Sequence, residues 1–468
     1  MKKKLLLSVG LAALAAGALA GCGQGDGKVH ISFWHTMGQA NQAWLNERIE
    51  EFNHIYPDVV IEHTAQGGYD DLKGKISKAI PAGTTPTMAY CYPDHVADYL
   101  VAGAVEELTP YIDDASIGFG KSEEGKELGD LGKDDFITAY WNEGNAYVNS
   151  DGTSAPGVYS LPFSKSTEVM FYNKTVFDEN NWEVPTSWSK LWAWAKKAKA
   201  KYPGVTPVGY DSDANFLITL FEQHQIPYTS ATTTADKGHF LFNNDRAKGL
   251  VEDLVDYYAE KLFVTQGTSS QNTYTSNLFI KGAANGGCLI TIGSTGGTGY
   301  NFPTKQNDKG ETVNGAAFEV GVAEVPQADE SNKKIIMQGP SMCFFKRASQ
   351  EQKRYAWLFY KYLTNMDNSA SYSYLTGYQP VRTSSFESQY YDQYNEGMDA
   401  GTKYELIHKV TQFLPQVKDD YFTSPAFAGS TAAREQMDGL LAAVCNNGTS
   451  VEKAFEDAET NCVFATNN

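Results

Sequence analysis

The sequence predicts an α/β fold, a sheet with helices on both faces, and two features carry that prediction. From Val29 onward, stretches that alternate apolar and polar residues like strands are followed by stretches with apolar residues at helical spacing. The chain has 468 residues, 42% hydrophobic and 20% charged, enough for two or three cored units of roughly 100 to 200 residues each. That composition excludes a disordered chain, a collagen and a coiled coil. No internal repeat and no low-complexity block is visible.

The elements follow in order. Val29-His30-Ile31-Ser32-Phe33-Trp34 alternates as a strand, with Trp34 expected in the core. Gln39 to His54 places Trp44, Leu45, Ile49 and Phe52 at helical spacing and stops before Pro57, which cannot continue a helical ladder. Val59 to Ile61 reads as a strand, Tyr69 to Ile80 as a helix, and Thr87 to Tyr92 as a strand leading into Pro93-Asp94. Asp113 to Asp135 is acidic and Gly-rich and is expected to be a solvated surface insertion. Its Gly120-Lys121-Ser122 lacks the leading Gly and strand of a phosphate loop, with Ala115 where the motif needs Gly. Further strands are expected at 166–172, 287–292, 318–325 and 341–345, and helices at 187–201, 245–261, 350–365, 434–445 and 451–458.

The N-terminus decides the expected compartment. Lys2, Lys3 and Lys4 precede an apolar run from Leu5 to Ala20, the charged and apolar regions of an export signal, and the run is too short and Gly-rich for a membrane span. The run closes in Leu19-Ala20-Gly21-Cys22, which resembles the bacterial lipobox, whose cysteine is lipidated and becomes the new N-terminus. Residues 1–21 are therefore expected to be a signal peptide and 22–27 a tether, leaving an extracytoplasmic body held to the bacterial cell membrane by lipid alone. From Cys22 the chain counts 35 basic and 56 acidic residues, a charge of −21 that repels a phosphate backbone, so nucleic acid is not an expected partner.

Five cysteines remain. Cys91, Cys288 and Cys343 lie in apolar runs and are expected as buried thiols, whereas Cys445 and Cys462 bracket a turn and a helical pattern and are expected to form a disulfide outside the cytoplasm. No Cys/His cluster has zinc spacing, the eight histidines show no i, i+4 metal pairing, and no Gly-x-Ser-x-Gly elbow appears, so neither a metal nor another cofactor nor catalysis is expected. Acidic residues are numerous enough to leave a cell-surface glycoside hydrolase open as an alternative, and a lipid-anchored adhesin as another. Aromatics sum to 13% of the chain, with 28 tyrosines, a side chain whose flat face and polar tip suit a wet binding groove.

The order of motifs "ISFWHTMG", "EEFNHIYPDVVIEH", "GGYDDLKGKISKAI", "LPFSKSTEVMFYNK", "GSTGG", "GPSM" and "TGYQPVRTSSF" resembles the family 1 extracellular solute-binding proteins of bacterial ABC importers, in the branch that holds glycerol-3-phosphate-binding and sugar-binding members. The resemblance implies a periplasmic-binding-protein-like fold of type II, with two α/β lobes joined by crossing hinge strands. It places residues 28–165 and 296–338 in one lobe and 166–295 and 339–468 in the other. It implies a monomer that works with permease subunits and a ligand site on Tyr69, Asp94, Ser166, Ser294, Gly339 and Tyr378. The branch's phosphate-binding Arg has no match in "SPAFAGST", where Phe427 stands, and the loop that carries the branch's Trp holds Asp211, Asp213 and Phe216 instead. Asp213 and Phe216 are therefore added to the expected site, and a neutral carbohydrate or polyol is the expected ligand.

Overall fold

The structure is a computed structural model that describes residues 26–149, 153–234, 238–307, 309–391 and 399–466. The expected export signal and Cys22 lie outside the described residues. Among the described residues, no helix is long and apolar enough to cross a membrane.

The first sheet has the order Val59–Ala65, Val29–His35, Met88–Cys91, Ser341–Phe344, Leu161–Pro162, with the first three strands parallel. Along Val29–His35 the buried residues are Ile31, Phe33 and His35, so the alternation legible in the sequence is the alternation between core and flank. Burying a side chain such as Ile31 or Phe33 is worth about 1.5–3 kcal/mol. The second sheet runs Tyr421–Phe422, Ile335–Gln338, Ser166–Asn173, Ile290–Ser294, Val208–Tyr210, Phe263–Thr265, with Val320–Ala323 also paired to Ser166–Asn173. Ser166–Asn173 is the central strand and is buried on both faces except at Tyr172, its polar residues Ser166, Thr167, Glu168 and Asn173 included.

The helices around the sheets start where the sequence offers caps. Ser187 and Asn244 accept backbone N–H bonds at the starts of Trp188–Lys201 and Asp245–Ala259, and Ser349 with Gln352 closes a reciprocal capping box on Gln350–Leu363. Each lobe packs its own core, and the eight tryptophans divide evenly: Trp34, Trp44, Trp141 and Trp357 pack in the first, Trp182, Trp188, Trp192 and Trp194 in the second.

The division of the chain between lobes differs from the expected one. Val320–Ala323 and Ile335–Gln338 pair with Ser166–Asn173, so 296–338 stays in the second lobe. Ser341–Phe344 pairs with Met88–Cys91, and Gln350–Leu363 and Met366–Thr376 pack beside it, so the chain after Gly339 returns to the first lobe as far as Val381. It rejoins the second lobe at Lys403–Phe413, where Leu406 and Val410 pack on Val169, Phe171 and Val320. The expectation failed at Ser294: the strand Ile290–Ser294 runs into a short helix, Thr295–Asn301, instead of crossing. An apolar strand announces its burial but not which sheet it joins, because that choice rests on partners distant in sequence.

Two crossings lie side by side. Ser164 N–H donates to Pro340 O at 3.3 Å, and Lys165 Nζ donates to Gly339 O at 3.0 Å. Gly339 has φ +95°, and a Cβ there would stand 2.3 Å from Ser164 O, so no other residue fits between the strands without displacing the backbone.

The acidic segment 113–135 is anchored rather than freely solvated. Lys361 Nζ, fully buried, donates to the carbonyls of Ile117, Gly118 and Lys121 at 3.1, 2.7 and 2.6 Å, and Trp357 Nε1 donates to Ile117 O at 2.7 Å. Asp130, also fully buried, pairs with Lys361 at 3.3 Å and Arg382 at 2.8 Å. Composition reads this stretch as solvated because the cations that neutralise it, Lys361 and Arg382, come from more than 200 residues away.

Cys91, Cys288 and Cys343 are buried free thiols, and the expected Cys445–Cys462 disulfide is absent: both are free. The helices Ser430–Cys445 and Val451–Thr466 form a hairpin with Cys445 at its turn end. Cys462 lies eleven residues into the second helix, roughly 16 Å along the axis at 1.5 Å per residue, well beyond disulfide reach.

Candidate ligand-binding cleft

A cavity of about 120 Å³ opens between the lobes, beside the crossings. The first lobe contributes Tyr92, Asp94 and Glu143, the second Ile218, Tyr228, Gln338, Ser430 and Arg434, and Gly339 forms part of the wall. Asp94, Glu143, Gln338 and Arg434 bring charged or amide groups, and Ser430 a hydroxyl, to walls that also hold apolar and aromatic side chains, the usual make-up of a small-molecule site.

Asp94 is the second residue of the helix Pro93–Val101 and is not its cap, since Tyr92 holds that position. Its Oδ2 accepts from Thr431 Oγ1 at 2.9 Å, a bond that spans the two lobes. A second bridge lies one turn on, where Gly429 N–H donates to Asp98 Oδ1 at 3.1 Å. Burial works to raise the Asp94 carboxyl, but His95, the Arg434 guanidinium, the Thr431 hydroxyl and Lys73 outweigh it and hold the group below its ordinary value. The carboxylate is therefore ionised at neutral pH and offers its remaining lone pairs to hydroxyl donors.

Tyr69 stands behind Tyr92, ring centroids 4.4 Å apart, and its hydroxyl meets those of Thr36 and Tyr378. Tyr378 lies against Gly296, where a Cβ would come within 2.9 Å of the ring, and stacks on Tyr372 at 6.2 Å. The Gly296 of "GSTGG" thus lets a first-lobe tyrosine close over the second lobe. Burial drives the Tyr69 hydroxyl well above its ordinary value, so the wall is neutral and hydrogen-bonding.

The expected site residues therefore separate. Asp94 and Gly339 line the cavity, and Tyr69 and Tyr378 back its aromatic wall. Ser166 is buried in the second sheet opposite Gln338, and Ser294 caps Thr295–Asn301 by accepting from Gly296 N–H at 3.2 Å. Asp213 and Phe216 face the second core. Asp213 accepts from the Thr265 hydroxyl and from Gly267 N–H at 2.8 Å, and burial pushes its carboxyl up to about 6. Phe216 stacks on Tyr210 at 4.4 Å and packs on Trp188 and Phe263. Asp211 caps Ser276–Phe279, accepting from Thr275 N–H at 2.6 Å, so neither loop aspartate charges the cleft.

Two charged residues of the cleft escaped the sequence reading. Glu143 pairs with the fully buried Lys165 and accepts from Ser341 Oγ at 3.1 Å, fastening both crossings to the first lobe. Arg434, on Ser430–Cys445, donates to Asn215 Oδ1. Its signal was present, as the first basic residue after Lys418, but nothing local aimed it at a cleft.

A family model described as bacterial extracellular solute-binding protein matches residues 47–399. The chain belongs to that family. Among curated relatives, the sn-glycerol-3-phosphate-binding periplasmic protein UgpB of Salmonella typhimurium is 23% identical over 466 residues, covering 94% of this chain and 96% of that protein. UgpB of Yersinia pestis is 24% identical over 394 residues, covering 81% and 80%. Among solved structures, UgpB of Mycobacterium tuberculosis in complex with glycerophosphocholine superposes with a TM-score of 0.69 at 17% identity over 94% of this chain and 99% of that one. The GacH receptor of Streptomyces glaucescens gives 0.68 at 17% identity over the same shares. These neighbours establish the fold as the two-lobed type of periplasmic binding proteins. As an extracellular solute-binding protein, the chain serves as the solute-binding component of an ABC importer.

Proposed function

We propose that this solute-binding protein is anchored outside the cytoplasm through lipid on Cys22, captures a neutral sugar or polyol between its lobes, and delivers it to the permease subunits. The observation that carries the ligand class is the balance of charge around the cavity. Asp94 opposes Arg434, Glu143 is matched by Lys165, and a net-neutral ligand leaves no charge uncompensated. Carboxylate, amide and guanidinium supply acceptors and donors for hydroxyls, and Tyr92 and Tyr228 supply flat faces for C–H surfaces. The enclosed volume of about 120 Å³ is roughly ten water positions, room for one sugar ring or a short polyol.

A phosphate ester is the second reading. Arg434 supplies the cation that the stretch around Phe427 lacks, and the curated relatives are named for glycerol-3-phosphate. Titration calorimetry with a panel of monosaccharides, glycerol, glycerol-3-phosphate and glycerophosphodiesters, at two salt concentrations, separates the two. Salt-insensitive binding of a neutral compound at least tenfold tighter than the esters supports the first reading, and tight, salt-sensitive binding of an ester alone overturns it. Release of reducing ends from oligosaccharides would instead support the hydrolase. Intact mass of membrane-extracted protein should show a diacylglyceryl adduct on an N-terminal Cys22.

A further inference from the structure

Beneath the cleft lies a buried carboxylate that the site so far described does not use. Glu168, on the central strand Ser166–Asn173, is 1% exposed and is not among the residues that line the cavity. Its Oε1 accepts from Asn215 Nδ2 at 2.8 Å, and its Oε2 accepts from the Tyr210 hydroxyl. Asn215 Nδ2 also donates to Gln338 Oε1 at 2.8 Å, so both its N–H bonds are committed, one to Glu168 and one to a residue of the cavity wall. The amide can then present only its oxygen to Arg434, whose Nη2 donates to it.

We propose, resting on the solute-binding reading, that Glu168 is a positioning residue that sets ligand charge preference: through Asn215 it aims the Arg434 guanidinium into the cleft, and its own charge offsets that guanidinium. Four facts meet in this arrangement: a buried carboxylate, an amide with one permitted orientation, a cleft-lining cation, and a wall amide held by the same donor. With Glu168 ionised, Arg434 stands between two carboxylates, Asp94 and Glu168, and an incoming anion meets net negative charge. With Glu168 neutral, Arg434 has only Asp94 opposite, and the obstacle falls.

The groups around Glu168 are few. Tyr210 and Asp211 face it from Val208–Tyr210 and the residue after, Asn215 from Asp213–Gln223 and Arg434 from Ser430–Cys445, and Gln338 of Ile335–Gln338 is joined to it through Asn215. Burial raises the Glu168 carboxyl to about 7, with Asp211 adding to the rise and Tyr210, Asn215 and Arg434 opposing it. A carboxyl balanced there changes charge near neutral pH. The sign follows: anion affinity should grow as pH falls through about 7 and Glu168 takes up a proton, while affinity for neutral polyols stays level.

The test uses the full exported chain, with glycerophosphoglycerol as anionic probe, because its phosphodiester charge does not change across the range, and a neutral monosaccharide and glycerol as reference. In the wild type, diester affinity should rise about tenfold from pH 8 to pH 6. Glu168→Gln keeps an acceptor for Asn215 and gives Tyr210 a donor, so it should hold the higher diester affinity at both pH values and abolish the profile. Tyr210→Phe removes a bond that favours the ionised form, so it should move the midpoint upward. The guanidinium N–H resonance of Arg434, assigned by its loss in Arg434→Lys, should titrate with the same midpoint without ligand and become flat in Glu168→Gln. Absence of binding by every compound would defeat the solute reading while the Arg434 resonance still reports on Glu168. An unchanged anion-to-neutral ratio in Glu168→Gln, or an Arg434 signal that ignores pH in the wild type, overturns the inference.

Discussion

Asp94 carries two jobs with one carboxylate: it ties the lobes together through Thr431 and faces the cavity with its remaining lone pairs. A hydrogen bond to a charged group is worth about 1.5–3 kcal/mol, so Asp94→Ala should weaken binding of the preferred solute by roughly ten- to a hundredfold. The melting temperature of the unliganded protein should change little by comparison, because the Asp94 side chain is only partly buried. Calorimetry and thermal melts on the same samples decide it; equal affinities would reduce Asp94 to a lobe fastener. At this scale the sequence was legible where chemistry and backbone coincide. A glycine that only a glycine can replace, Gly339, and a carboxylate just after a strand end, Asp94, both announced themselves. Asp213 and Phe216 misled because an acidic, aromatic loop looks the same whether it lines a cleft or, as here, turns its carboxylate onto Thr265 and Gly267. Arg434 was missed because its meaning depends on Asn215 and Asp94, residues distant in sequence.

Among the elements, helices with a clear 3.6-residue period and a side-chain cap, such as Trp188–Lys201 and Gln350–Leu363, were legible almost to their ends, since both signals are local. The anchored segment 113–135 was not, because its order comes from Lys361, Trp357 and Arg382. Lys361→Met should remove the donor for three carbonyls and leave Arg382 as the one cation paired with Asp130 among the described residues. Breaking such a buried pair costs about 3–5 kcal/mol. The expected outcome is a lower urea midpoint together with new proteolytic cuts between 113 and 135 under native conditions. A lower midpoint without those cuts would mean that the segment is held by Arg382 and the aromatic contacts of Phe119 instead.

For the whole molecule, the two lobes share the crossings at 163–165 and 339–340, the Lys165–Glu143 pair and the cross-lobe bonds at Asp94 and Asp98. A solute that bridges Asp94 on one side and Arg434 on the other favours the closed arrangement by its differential affinity and no more. Saturating the preferred solute at a hundred times its Kd should stabilise the fold by about 2.7 kcal/mol and raise the melting temperature accordingly. Thr431→Val, which removes one cross-lobe bond, should enlarge the radius of gyration of the unliganded protein in solution scattering, and ligand should restore it. An unchanged radius would show that the remaining contacts suffice to hold the lobes together. The even division of the tryptophans has a consequence for anyone who assays this motion. Four indoles sit in or against each core, and none is among the described residues lining the cavity, so a rigid closure leaves each one's surroundings largely as they were. Steady-state indole emission should therefore be nearly blind to solute, and an optical titration needs a reporter dye on the rim of each lobe, or the absorbance of the tyrosines that the cleft does contain.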